Sequence, residues 1–229
     1  MLTTAAAAEQ LGVGAHEVRR LVGAGELTAV RAGRILLLDE QDVRRRARRK
    51  VTRGRALSPR TAWAAMLEAS GETVTWLDRP ARSRLRAWLR ATDPEAMAVA
   101  CRRRAERHDL RVLPAYGGAV SSAEGIVRSG LSAAEEVGAD LFAMAETPAE
   151  LYASAATLGG LSAAYGLEAS DRPNVVIRIP ALPPALAAQV LERATMPAAV
   201  VAVDLLDSDD VRTRRAGGEL LARCLAGCR

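Results

Sequence analysis

Apolar positions in the first forty residues come in short bursts with two different periods. Thr3 and Thr4 are good N-cap residues, and a helix is expected from about Ala5 to Leu11. Gly12 then allows a left-handed turn. A second helix fits about Ala15 to Val22, where Ala15, Val18, Leu21 and Val22 share one face at helical spacing. The opposite face is centred on His16 and Arg20 and flanked by Glu17 and Arg19. Gly23 and Gly25 stop this helix. LTAV (Leu27–Val30) and RILLL (Arg34–Leu38) read as two short strands of a hairpin around Ala32-Gly33, with Arg31 and Arg34 flanking its tip. Asp39 can cap a third helix, DEQDVRRRARRK, acidic first and basic later, the order that the helix dipole favours.

Beyond residue 55 the pattern is longer-waved. Ser58-Pro59 is a helix start, cap followed by proline, with Trp63, Met66 and Leu67 on one side. Pro80 begins another helix, with Leu85, Trp88 and Leu89 inward and Arg82, Arg86 and Arg90 outward. Asp93-Pro94 begins a third, expected to end near RRRAERH. All three tryptophans, Trp63, Trp76 and Trp88, fall in this stretch and mark a local core. Further on, Ser132–Glu135 is a capping-box pattern whose helix stops at Gly138, and Thr147-Pro148 starts a helix holding Leu151, Ala155 and Leu158. NVVIRI (Asn174–Ile179) and AVVAVDLL (Ala199–Leu206) are expected strands, the second apolar on both faces and so central in a sheet. Ser208 caps a last helix with Leu220, Leu221, Cys224 and Cys228 on one side.

The fold class expected is α+β in three parts: a small domain of helices and a hairpin over 1–54, a basic helical connector over 55–112 and an acidic mixed α/β domain over 113–229. The charge supports that division. Residues 1–60 carry 13 Arg/Lys against 6 Asp/Glu, residues 61–112 carry 10 against 7, and residues 113–229 carry 9 against 14. A basic front and an acidic back imply different partners for each. All but one of the basic residues are Arg, and aromatics are only 3%, so the cores rest on Ala, Leu and Val. No apolar run approaches the ~20 residues of a membrane helix, and no secretory signal opens the chain. Three cysteines without metal-ligand spacing fit a reduced, cytoplasmic protein.

Candidate chemistry is sparse. Asp204, Asp207, Asp209 and Asp210 at an expected strand end are the best metal candidate, since carboxylates there can hold Mg²⁺; Asp209 and Asp210 equally suit a helix N-terminus. GGAVSSAEG lacks the Lys-Ser/Thr ending of a phosphate loop. His16 and His108, the only histidines, both lie in expected basic helices, and no nucleophile–base set stands out. Enzymatic activity and a cofactor are therefore not expected. Arg102–Arg104 reads as a solvated face, a second DNA contact or a partner contact.

Two helices around a tight turn, the second with a polar and basic outer face, follow the helix-turn-helix plan. TTAAAAEQLGV…VRRLVGAGELTAVRAGRILLLDEQDV, spanning roughly Leu2 to Arg49, resembles the winged helix-turn-helix module of MerR-type regulators and phage excisionases. Gly14 stands where that family usually has Ser or Thr. The resemblance implies contacts to double-stranded DNA from His16, Arg19 and Arg20 on the recognition helix and Arg31 and Arg34 on the wing. By its charge alone, the run Arg44–Arg55 reads either as a solvated basic tail or as a set of phosphate contacts, Arg45 and Arg49 among them. RALSPRTAW, IVRSGLSAAEEVGADLFA, ELYAS, NVVIRIP and VVAVDLLDSDDVRTRRAGGELL, in that order from Arg55 to Leu221, resemble the AbiEi-type antitoxins. That likeness implies a repressor of its own operon whose larger domain counters a nucleotidyltransferase toxin, with a homodimer as a further expected partner state. The alternatives are a free-standing regulator or recombination accessory protein with a sensing or dimerising back half, and an Mg²⁺-dependent enzyme tethered to DNA.

Overall fold

The computed structural model describes residues 1–23, 27–33, 35–40, 42–43, 46, 56–141 and 147–228. The chain is a mixed α+β protein that divides into two compact units, Met1–Arg53 and Gly54–Arg229.

In the first unit, strand β1 (Leu2–Thr3) leads into α1 (Thr4–Leu11), with Thr3 accepting a hydrogen bond from the Ala6 N–H as N-cap. Gly12 ends α1 in the left-handed region at φ 64°, where a side chain would be strained, and its N–H returns to Ala8 and Glu9. α2 (Ala15–Gly23) follows, and β2 (Ala29–Ala32) pairs antiparallel with β3 (Ile35–Leu38). β1 pairs with the other edge of β3, giving the order β1-β3-β2. Ala7, Ala8, Val18, Leu21, Leu27, Leu38 and Val43 form the core. Asp39 accepts from the Asp42 N–H, and Asp42 in turn accepts from the Thr28 N–H, so the helical turn after β3 is tied to the start of β2. The two expected helices lie where the periodicity places them, whereas the first hairpin strand is shifted to Ala29–Ala32 from the expected Leu27–Val30; β1 is an addition, recruited by pairing with Leu37 and Leu38. The later part of the third expected helix falls largely outside the described residues.

The second unit begins with three helices: α3 (Pro59–Ala69), α4 (Arg79–Ala91) and α5 (Pro94–Ala100). Ser58, Asp78 and Asp93 cap them, each accepting from a backbone N–H three residues on. α3 is buried from Ala62 to Ala69 on every face. Then comes a five-stranded sheet of order β5-β6-β8-β4-β7, from β4 (Ala105–Arg111), β5 (Val127–Arg128), β6 (Ala149–Tyr152), β7 (Glu168–Ala169) and β8 (Val175–Pro180). β6 and β8 run parallel; the other neighbours are antiparallel. The helices between and after the strands are α6 (Gly117–Ser121), α7 (Ala155–Tyr165), α8 (Pro184–Leu191), α9 (Ala198–Leu206) and α10 (Val211–Ala226). One core joins Trp63 and Met66 of α3, Tyr152 of β6, α9, and Leu220 and Leu221 of α10; a second joins Leu151, Val175, Ile177 and Leu161.

The stretch 55–112, expected as a separate connector, falls within one compact unit with residues 113–229. Its helix α3, buried from Ala62 to Ala69, shares a core with the later helices and β6. Five local expectations also change. Ala199–Leu206 is a helix, not a central strand: an apolar run buried on all sides does not distinguish the two, and α9 is wholly buried from Ala199 to Leu205. Residues 105–111 form a strand rather than the end of a helix, so His108 lies in β4 opposite Ile177. Ala149–Tyr152 is a strand, held between β5 and β8, and the helix starts only at Ala155, capped by Ser154. Ser132 does not open a helix; its hydroxyl accepts from the Glu150 N–H, leaving a short 3₁₀ turn at Gly130–Ser132. Likewise Asp210, not Ser208, caps α10, accepting from the Thr213 N–H.

A tight helix–helix approach sits at Gly217 of α10. A Cβ there would lie 2.8 Å from the Leu205 Cβ and 2.9 Å from the Ala202 carbonyl oxygen. At the adjacent Gly218 it would meet only Leu206 Cδ2 at 3.9 Å. Gly217→Val is expected to destabilise the protein by about 1–3 kcal/mol through overpacking, whereas Gly218→Ala is expected to be neutral or mildly stabilising. Urea unfolding of the two variants checks this; equal stabilities would remove Gly217 as the packing constraint.

Candidate functional site

The residues expected to read DNA lie on one helix and one hairpin of the first unit. Val18 and Leu21 turn α2 inward, leaving His16, Arg19 and Arg20 exposed on the outer side. Arg20 is not a free cation: its Nε and Nη2 donate to the two carboxylate oxygens of Glu17 at 2.9 and 2.7 Å. The same bond holds the Glu17 carboxyl below its usual range. Glu17 thereby splays the guanidinium along the helix surface rather than outward. Arg31 is exposed on β2 opposite Leu36, one residue before the turn at Ala32-Gly33. Arg34, Arg45 and Arg49 lie outside the described residues.

The second unit holds a different kind of centre. Asp204, on buried α9, is fully enclosed. Arg104 donates to its Oδ1 from Nε at 3.0 Å and from Nη2 at 2.5 Å, and Nη2 also reaches Asp207 Oδ2 at 2.5 Å. The Tyr152 hydroxyl donates to the same Oδ1 at 3.1 Å, and Ser129 donates to Oδ2. Arg178 of β8 lies 3.4 Å from Asp204 through Nε and donates to Glu150 from Nη1 at 3.2 Å. Trp63 closes the group, its indole N–H donating to the Arg104 carbonyl at 2.8 Å and its ring meeting Tyr152 edge-on at 5.6 Å.

Five chain-distant segments thus meet at one carboxylate. Burial works against the charge on Arg104, but Asp207 and Asp204 outweigh it and hold the guanidinium protonated well above its usual range. Arg178 is held charged in the same way by Asp204 and Glu150. Burial raises the Tyr152 hydroxyl, keeping it a neutral donor. It raises Glu150 too, more than the nearby Arg178 lowers it. Burial also pushes the Cys101 thiol up to about 12, so that cysteine is an inert core residue.

The four aspartates that were the best metal candidate are not gathered into one cluster. Asp204 and Asp207 are engaged by arginine, Asp210 caps α10, and Asp209 is exposed. Among the described residues no three His, Cys, Asp or Glu side chains group to hold a metal. The Arg102–Arg104 run is split: Arg102 and Arg103 are exposed, while Arg104 is 3% exposed. The centre was not expected as such, although two signs of it stood in the sequence. NVVIRI carries one arginine and AVVAVDLL one aspartate inside otherwise apolar runs. A charge placed so has a buried partner, because leaving it unpaired costs too much.

Comparison of the chain with protein-family models, curated proteins and solved structures gives no match. Among the described residues no helix is long and apolar enough to cross a membrane.

Two outcomes follow from the buried centre. Asp204→Ala leaves Arg104 and Arg178 facing each other without their shared carboxylate. It is expected to cost about 3–5 kcal/mol, the range for breaking a buried pair. Asp204→Asn, which keeps shape and hydrogen bonds to Ser129 and Tyr152, is expected to lose less; urea unfolding ranks the two. For Glu150 the folded-state pKa is raised, so its share of stability is full below the usual glutamate range and is lost as pH rises through the folded value. The stability difference between the protein and Glu150→Gln is therefore expected to move in favour of the variant as pH rises from about 4 to about 8. A difference that does not change with pH would show the group to be unshifted.

Proposed function

We propose that the protein is a DNA-binding repressor whose first unit acts as a winged helix-turn-helix, with α2 as the recognition helix and the β2–β3 hairpin as the wing. The observation that carries this reading is the placing of His16, Arg19 and Arg20. They stand together on the exposed side of a helix anchored by Val18 and Leu21, directly after a tight glycine turn. A second helix of a pair, held by its apolar face with its polar face free, is the element that enters a major groove. Arg31 sits where a wing reaches a phosphate or the minor groove.

The second unit, in this reading, is the antitoxin portion of a toxin–antitoxin pair, and the protein represses the operon that encodes both. The ordered likeness of residues 55–221 to AbiEi-type antitoxins supports this, with a nucleotidyltransferase as the toxin. The buried ion centre fits a rigid scaffold rather than an active site, since Asp204, Tyr152 and Ser129 have no access to solvent.

The test begins with the full chain and duplex from the region upstream of its own gene, titrated beside random duplex. A clear preference for the upstream duplex is expected. Arg20→Ala is expected to reduce that preference by about 1–3 kcal/mol if Arg20 leaves Glu17 to contact a base edge. An equal loss on both duplexes would make Arg20 a phosphate contact, and no preference for any duplex would sink the repressor reading. Co-expression with the product of the adjacent reading frame, scored by growth, tests the second unit. Toxicity relieved by this protein supports the antitoxin role; a harmless neighbour favours a free-standing regulator.

A further inference from the structure

The second unit is electrically neutral as a whole, with 21 Arg/Lys against 21 Asp/Glu over residues 54–229, yet its charge is not evenly mixed. α4, RPARSRLRAWLRA, carries five arginines and no acidic residue within its bounds. At 100° per residue, Arg79, Arg82, Arg86 and Arg90 fall within an arc of about 80° and form a row about 16 Å long. Leu85 and Leu89 turn the helix inward, so that Arg79, Arg86 and Arg90 are exposed and Arg82 is half-buried.

One carboxylate serves the middle of this row. Glu68 of α3, 5% exposed in its side chain, accepts from Arg86 Nε at 2.6 Å and lies 4.0 Å from Arg82 Nε. The Glu68 bond raises the Arg86 pKa further. Glu68 thus fixes the middle of the row in place without covering its ends. Like charges three and four residues apart weaken a helix by about 0.2–0.5 kcal/mol per pair. A face needed only for solubility avoids that by mixing signs, as α10 does with Arg215 donating to Glu219 at 2.9 Å. α4 has no carboxylate of its own, and Glu68 offsets the repulsion only between Arg82 and Arg86.

We propose that the arginine row of α4 is a phosphate-binding surface that lies along the backbone of duplex DNA. A row of ~16 Å is long enough to meet more than one successive phosphate of a strand. Guanidinium groups suit that ligand because they donate to phosphate oxygens in pairs and stay charged at any working pH. Binding of this kind carries no sequence information; it adds affinity and salt dependence to whatever the first unit reads. The choice of duplex DNA as the occupant rests on the repressor reading, and the charge complementarity does not.

The experiment uses the full chain and a random-sequence duplex, with affinity measured across a series of salt concentrations. Arg79→Gln combined with Arg90→Gln removes two exposed cations that do not pair with Glu68, and circular dichroism and thermal unfolding confirm that the fold is kept. The slope of log affinity against log salt is expected to flatten by about 2, at about 0.9 for each phosphate that is no longer neutralised. Arg79→Lys with Arg90→Lys is expected to restore most of it. An unchanged slope in the Gln variant overturns the inference, as does tighter binding of the row to poly-glutamate than to duplex, which would assign it to an acidic protein. The two readings fail separately. A sequence preference that persists with an unchanged slope removes only the α4 surface. A flattened slope in a chain with no sequence preference removes only the repressor.

Discussion

Asp204 is the point on which the second unit turns. Its carboxylate sits on a helix with no solvent-facing residue from Ala199 to Leu205, and two arginines, a tyrosine and a serine converge on it. Taking that many charges out of water is costly, and it becomes tolerable only because nearly every polar atom of the group finds a partner. Within this centre Arg178 Nη2 is the exception. The partners come from the start of β4, the end of β5, β6, β8 and α9. The centre thus ties five segments distant in the chain to one carboxylate.

From this constraint follows the enclosure of α3. Trp63 bridges to the centre through the Arg104 carbonyl and the Tyr152 ring, which brings α3 against β6 and α9. α10 then covers α9, at a spacing that the missing side chain of Gly217 permits. Gly130 plays a comparable part on the other side. Its φ of 48° is one that side chains avoid, and a Cβ there would run into the Glu150 carboxylate, so the turn before β6 can hold that carboxylate near Arg178. A rigid, apolar interior with its charges paired internally leaves the outer faces to carry the exposed arginines.

Charge is distributed in two ways across the chain. Among the described residues of the first unit the exposed cations stand on α2 and the hairpin, and Glu17 orients one of them. In the second, positive charge is gathered on α4, with Glu68 orienting the middle of the row. Both patches use one carboxylate beneath or beside an arginine to limit its freedom. Such preorganisation lowers the entropy lost when a long side chain meets its ligand.

The sequence by itself determined the first unit almost wholly. Its helices are short and its turns are marked by glycine; each signal is local, so Gly12, Val18 and Leu21 could be placed without knowing their neighbours. Helix starts at Ser58-Pro59, Pro80 and Asp93-Pro94 were equally local, because a helix start needs only the few residues that follow. Tertiary structure decided the rest. Ala199–Leu206 is apolar on every side, and only the enclosure by α3 and α10 makes it a helix. Ala149–Tyr152 has a good helix start before it, but pairing with β8 on one side and β5 on the other makes it a strand. Arg104 looked like one of three surface arginines, and Asp204 like one of four acidic neighbours. Their meeting across 100 residues of chain is set by packing, which no local pattern encodes.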